Sequence, residues 1–136
     1  MKRSELRENI FLLVFRVEFN SMEEMPEQVK LYFEELEQPV KDKDEEYIEQ
    51  KTAKIFSKLP EIDAMINEKA EGWNASRMGK VELALIRLAV YEMMFDEDVP
   101  VGVAINEAVD LAKKYGQDES SSFVNGILAK LAKSED

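Results

Sequence analysis

The stretch from Val81 to Phe95, VELALIRLAVYEMMF, has twelve apolar residues in fifteen, interrupted only by Glu82, Arg87 and Glu92. A helix that is apolar nearly all round belongs inside a protein, because one apolar stripe suffices at a surface. It is too short and too charged to cross a bilayer, which takes about 20 predominantly apolar residues. Arg87 in its middle needs a carboxylate or carbonyl partner, or a route to the surface along its aliphatic stem. Around this core segment the pattern predicts further helices punctuated by proline and glycine. From about Ser4 to Phe19, Leu6, Ile10, Val14 and Val17 recur at helical spacing, with Phe11 and Phe15 widening the face. A second helix from about Pro26 carries Val29, Tyr32, Phe33 and Leu36 and is closed by Pro39. A third from Lys43 to Leu59 turns Ile48, Ile55, Phe56 and Leu59 inward. Pro60 opens a fourth, with Ile62, Met65, Ile66, Ala70 and Trp73 as its buried stripe. After the break at DEDVP, Pro100 leads into a sixth, striped by Val101, Ile105, Ala108, Val109 and Ala112, with Lys113 and Lys114 in the last turn and Gly116 as cap. Asp118 can cap a seventh, whose face is Phe123 or Val124, then Ile127, Leu128 and Leu131. No stretch alternates with period two for long enough to be a strand, so the expectation is an all-α bundle of seven helices.

Composition narrows the chemistry. The 136 residues contain no cysteine and no histidine. This removes disulfides, thiolate and imidazole metal sites, cysteine nucleophiles and histidine bases together. The five glycines form neither a dinucleotide fingerprint nor a phosphate loop, since Val81 follows Gly79-Lys80 where a serine or threonine is needed. What remains is carboxylate. Glu45, Glu46 and Glu49 share a helix face, as do Glu68 with Glu71 and Glu107 with Asp110. Two such pairs facing each other could hold Mg²⁺, a faint likeness to all-α nucleotide pyrophosphohydrolases, although paired acids at this spacing are routine on solvated faces. The N-terminus has basic residues before an apolar run, but Glu5, Arg7 and Glu8 interrupt it and no small-residue cleavage site follows Phe19, so a cytoplasmic location is expected.

The net charge of −11 is unevenly spread. Residues 1–19 carry four basic and three acidic side chains, residues 20–76 seven and fifteen, and residues 77–136 seven and eleven. Taken whole, such a chain repels polyanions, so any contact with nucleic acid must be local or assisted by a basic partner.

Several segments carry a resemblance to a known family. They are RLAVYE at 87–92, Pro100, AINEAVDLAKKYG at 104–116 and FVNGIL at 123–128, supported by Trp73, Arg77 and RENIFLLVF at 7–15. Together they resemble the NusB family of bacterial transcription antitermination factors over essentially the whole chain. The resemblance implies a single all-helical domain of seven helices in two halves, here about 1–75 and 76–136. It also implies a non-catalytic role: binding the single-stranded boxA element of nascent ribosomal RNA jointly with NusE, a small-subunit ribosomal protein, and joining NusA, NusG and RNA polymerase. No cofactor and no metal are implied. Family members occur as monomers and as homodimers, and no residue decides between them here. Carried over position by position, the RNA-binding residues would be Lys2, Arg3, Arg7, Phe15, Glu82 and Phe123. Ser4 and Glu5 stand where better-studied members have more arginine, which lowers the expected phosphate affinity. Read from the residues alone, Arg3 and Arg7 also fit a solvated helix start, and Phe15 and Phe123 also fit a core. Asn106, Glu107, Asn125 and Gly126 are expected to be structural, with Gly126 permitting close helix approach. Arg87 is expected to form a structural ion pair with an acid.

Overall fold

The computed structural model describes residues 1–133, and every regular element among them is helical. Six α-helices occur: α1 (Arg3–Phe15), α2 (Met25–Glu34), α3 (Asp42–Lys69), α4 (Lys80–Phe95), α5 (Val101–Tyr115) and α6 (Ser120–Lys133), with short 3-10 turns at Arg16–Glu18 and Ala75–Arg77. The all-α expectation holds, but the count of seven is corrected, because the helices anticipated on either side of Pro60 are one 28-residue helix. A proline inside a helix removes one hydrogen bond and crowds the carbonyl four residues back, at a cost of about 3 kcal/mol. Pro60 lies on the exposed side of α3, where water can solvate a carbonyl that has lost its donor. On the opposite side Ile48, Thr52, Ile55, Leu59, Ile62, Ile66 and Ala70 are buried at steps of three or four residues straight past it. Keeping that stripe in one register offsets the local loss.

The chain forms two compact units, Met1–Ser57 and the residues from Lys58 onward. In the first unit, α1 buries Ile10, Phe11, Leu13 and Val14, α2 buries Met25 and Tyr32, and α3 buries Ile48 and Ile55. Helix α1 stops at Phe15 rather than Phe19 and tightens into the first 3-10 turn, and the Asn20 side-chain amide donates to the Arg16 carbonyl at 3.0 Å. The N-terminal ammonium of Met1 pairs with Asp44 at 3.1 Å, so the first residue is tied to the start of α3.

In the second unit, α5 and α6 each pack on α4 and on one another. Every residue of α4 from Leu83 to Glu92 is buried, charged Arg87 and Glu92 included. The face α5 turns inward is Ala104, Ala108, Leu111 and Ala112. That corrects the expected stripe, because Val101 is exposed while Ile105 and Val109 are only half-buried. Small alanines let α5 approach the bulky side chains of α4, and the larger β-branched residues are rotated outward. Helix α6 buries Val124, Ile127, Leu128 and Leu131. Gly126 faces solvent, and a Cβ built on it would meet nothing within 4 Å, so close helix approach is not its role. Between α3 and α4 the chain turns at Gly72, whose φ of +79° lies in the left-handed region that L side chains rarely adopt. The next residue, Trp73, is 41 % exposed rather than the last member of a buried stripe, because the helix has already ended at Lys69. No helix of the described residues is long and apolar enough to cross a membrane.

Candidate nucleic-acid interface

Four of the six residues singled out for RNA lie in the first unit. Lys2 and Arg3 are exposed at the first turn of α1, where the Lys2 amide donates to Glu5 Oε1 at 3.4 Å. Arg7, one turn on, is only 7 % exposed, so it is part of the packing of this unit as well as a charge. The fourth cation of this segment, Arg16, is committed to α2. Its Nη1 donates to the Gln28 carbonyl and Oε1 at 3.3 and 3.2 Å, and its guanidinium lies 5.2 Å from the Tyr32 ring centroid. Tyr32 in turn donates its hydroxyl to Asn9 Oδ1 on α1. Burial pushes the Tyr32 phenol above its ordinary value, and Arg16 works against that shift. Phe15 is half-buried in a ladder of rings, 6.3 Å from the buried Phe11 and 5.2 Å from Phe19, which is 57 % exposed. The ladder thus grades from core to solvent, with Phe15 as its middle rung.

The other two residues, Glu82 and Phe123, lie in the second unit, on the first turns of α4 and α6. Glu82 sits in the first turn of α4, where its charge suits the helix dipole. Its Oε1 accepts from the Ser120 hydroxyl at 2.6 Å, and that hydroxyl accepts from the Gln117 amide at 2.9 Å. A Cβ on Gly116 would fall 2.5 Å from the Ser120 side chain, so the glycine ending α5 is what lets Ser120 reach this position. One turn along α6, the ring of Phe123 meets Trp73 edge-on, with centroids 5.0 Å apart and planes at 77°. Arg77 places its guanidinium 6.0 Å from the Trp73 centroid. Away from this corner, Arg87 Nε and Nη2 donate to Asp63 Oδ1 and Oδ2 at 2.9 and 2.8 Å, a bidentate pair linking α4 to the last part of α3.

A model of the NusB family matches residues 4–133. The chain belongs to the NusB family. It is 54 % identical over 132 residues to the transcription antitermination protein NusB of Agathobacter rectalis, covering 97 % of this chain and all of that protein. With NusB of Listeria innocua it shares 37 % identity over 132 residues, 97 % of each chain. Among solved structures, T. maritima NusB superposes with a TM-score of 0.84 at 34 % identity, covering 98 % of this chain and 92 % of that one. A second, solved as antitermination factors NusB and NusE in complex with double-stranded RNA, gives a TM-score of 0.83 at 30 % identity, covering 97 % and 96 %. The family is one of transcription antitermination factors, and the chain is not an enzyme.

The carboxylate alternative is not favoured. Among the described residues no group of three acidic side chains is placed to hold a metal ion. Glu46 accepts from Gln50 one turn on at 3.1 Å, Glu49 is exposed, and Glu68, Glu71 and Asp110 are exposed as well. Slight burial, then its neighbours Glu45 and Glu46, push the Glu49 carboxyl above its ordinary value, as expected of acids crowded on one helix face.

Sequence reasoning missed three parts of this arrangement: Asp63 as a partner of Arg87, Ser120 as the donor to Glu82, and the contact of an exposed Trp73 with Phe123. Asp63 and Arg87 are 24 residues apart, and Ser120 and Glu82 are 38 apart. The only local signal was Gly116, whose spacing of four before Ser120 marks a close approach once the helix ends are known.

Proposed function

We propose that the protein is a transcription antitermination factor that binds boxA RNA jointly with NusE and joins NusA, NusG and RNA polymerase in the cytoplasm, supporting ribosomal RNA transcription. The observation that carries this reading is its 0.83 TM-score match, over nearly its full length, to a NusB solved with NusE and RNA. On this reading Lys2 and Arg3 supply phosphate contacts at the surface, and Arg7 adds its charge from within the first unit. Phe15 and Phe123 offer aromatic surface to bases. Glu82 acts by holding the starts of α4 and α6 in place. The protein's own contribution to phosphate binding is small: three cations and a single-strand slope of about −0.7 per neutralised phosphate give a log affinity that falls with log salt at about −2. A chain with net charge −11 therefore leaves most phosphate neutralisation to a basic partner, which its acidic surface helps recruit.

A band shift of boxA RNA with and without NusE, over a series of salt concentrations, tests this. NusE is expected to tighten binding and to steepen the salt slope. Lys2→Glu with Arg3→Glu is expected to weaken the ternary complex while leaving the fold intact, because both side chains are exposed. Equal affinity and slope with and without NusE, or unchanged binding by the double variant, would show that the shared-binding mechanism is wrong.

A further inference from the structure

Trp73 is one of the exposed large apolar side chains, and several contacts fix the chain around it. Its amide donates to the Ala70 carbonyl at 2.8 Å. The chain before it is fixed by the left-handed Gly72, and the chain after it by the Ala75 amide, which donates to Asn67 Oδ1 at 2.8 Å. Ala75 and Met78 are buried and anchor the 3-10 turn on either side of Arg77. Trp73 thus stands at the surface on a rigid base, with Phe123 against it and a guanidinium beside it, while 41 % of its surface remains open to solvent.

Charge says what could cover it. In a chain with 29 acidic residues, the span from Trp73 to Val81 contains none and carries Arg77 and Lys80, both exposed, while Glu82 just beyond it is engaged by the Ser120 hydroxyl. The helix that supplies Phe123, α6, is also free of acids and carries Lys130 and Lys133. An exposed indole with a neighbouring arginine, framed by acid-free segments of an otherwise acidic protein, suits a ligand that is flat, apolar on its faces and anionic at its edge. An unpaired nucleotide has that chemistry: its base stacks on an aromatic ring and its phosphate meets a cation. We propose that Trp73, braced by Phe123 and accompanied by Arg77, is a stacking platform for an unpaired base of bound RNA. This rests on the RNA-binding reading and adds to it a residue and a mode of contact. Preorganisation is the physical advantage, since a ring already fixed in place loses little freedom when the base arrives.

Trp73 is the chain's single tryptophan, so its emission reports on the platform directly. The full-length protein would be titrated with dye-labelled single-stranded boxA RNA and with the same strand annealed into a duplex. Anisotropy of the dye then reads binding, and tryptophan emission reads stacking. Quenching that saturates together with the anisotropy is expected for the single strand, with much less for the duplex. Trp73→Ala is expected to weaken single-strand binding about 5- to 150-fold, the range for loss of one base–aromatic stack. Trp73→Phe, which keeps a ring, should stay within about threefold of the parent. Arg77→Gln, which leaves the indole in place, should flatten the salt slope by about 0.7, the share of one phosphate. RNA binding with unchanged emission and with full affinity in Trp73→Ala would overturn the platform and leave the RNA-binding reading standing. Equal quenching by duplex would show that an unpaired base is not the ligand. Emission that responds to NusE and not to RNA, with Trp73→Phe as the blank, would assign the face to protein instead. No anisotropy change with or without NusE would overturn both readings together.

Discussion

The two units differ in where they put the polar residues nearest their candidate RNA positions. In Met1–Ser57 the cations at the start of α1 are displayed: Lys2 and Arg3 are exposed, and the helix beneath them is held mainly by Ile10, Phe11, Leu13 and Val14. From Lys58 onward the polar residues are built into the packing. Arg87 is buried in α4 and held bidentate by Asp63, and Glu82 is tied to the buried Ser120. In the first unit, then, the charges of Lys2 and Arg3 can be changed without disturbing the scaffold, whereas that of the buried Arg7 cannot. In the second, the polar groups near the candidate residues are the scaffold, and a loss of function there has to be separated from a loss of fold.

The sharpest way to break this contrast is Arg87→Ala. It would strand Asp63 beside an apolar helix, and breaking a buried pair costs about 3–5 kcal/mol. The Asp63 side chain is 29 % exposed, so water relieves part of the penalty and the lower end is expected. A urea melt showing less than about 1 kcal/mol would mean that the second unit does not depend on its polar pair. Ser120→Ala comes next. It removes the donor to ionised Glu82 and the acceptor of the Gln117 amide, and a bond to a charged group contributes about 1.5–3 kcal/mol. The same melts, run beside Glu82→Gln, would show whether the two changes are coupled as one contact. Gly126→Ala should go the other way. The position is helical, outward-facing and open, so an added methyl is expected to stabilise by about 0.5–1 kcal/mol. A loss of stability would place something against that face of α6. Smallest of all, Lys2→Glu with Arg3→Glu should change stability by no more than about 0.5 kcal/mol, as for most surface substitutions. A larger loss would show that the display at α1 is structural after all.

How far the sequence could be read follows the same division. The pattern places helices α4, α5 and α6 to within a residue or two, because their apolar runs are long and their ends are marked by Pro100, Gly116 and Asp118. The failure at Pro60 has a physical reason: local chemistry favours a break there, but the buried stripe from Ile48 to Ala70 keeps one register, and that register is visible only once the helix is followed past the proline. The pattern misplaces Trp73 for a related reason: helical periodicity continues on paper beyond the end of α3, over a glycine whose left-handed conformation turns the chain. At the candidate site, residue types were legible and neighbours were not. Glu82 and Phe123 could be singled out, but nothing near them in sequence points to Ser120 or Trp73, since those contacts exist only after three helices have packed.

The burial of α4 on all sides also bears on how the chain is made. Its ten consecutive buried residues leave the ribosome before either helix that covers them, and another 36 residues, Asp96 through Leu131, must follow before the last buried position of α6 exists. At about 5–20 residues per second this leaves a sticky apolar rod without the cover of α5 and α6 for about 2–7 s during synthesis. The tight connections at 96–100 and 116–119 keep that interval short. Slowing translation across α5 would lengthen it, so the pace of synthesis over this segment bears on how much of the protein reaches its native state.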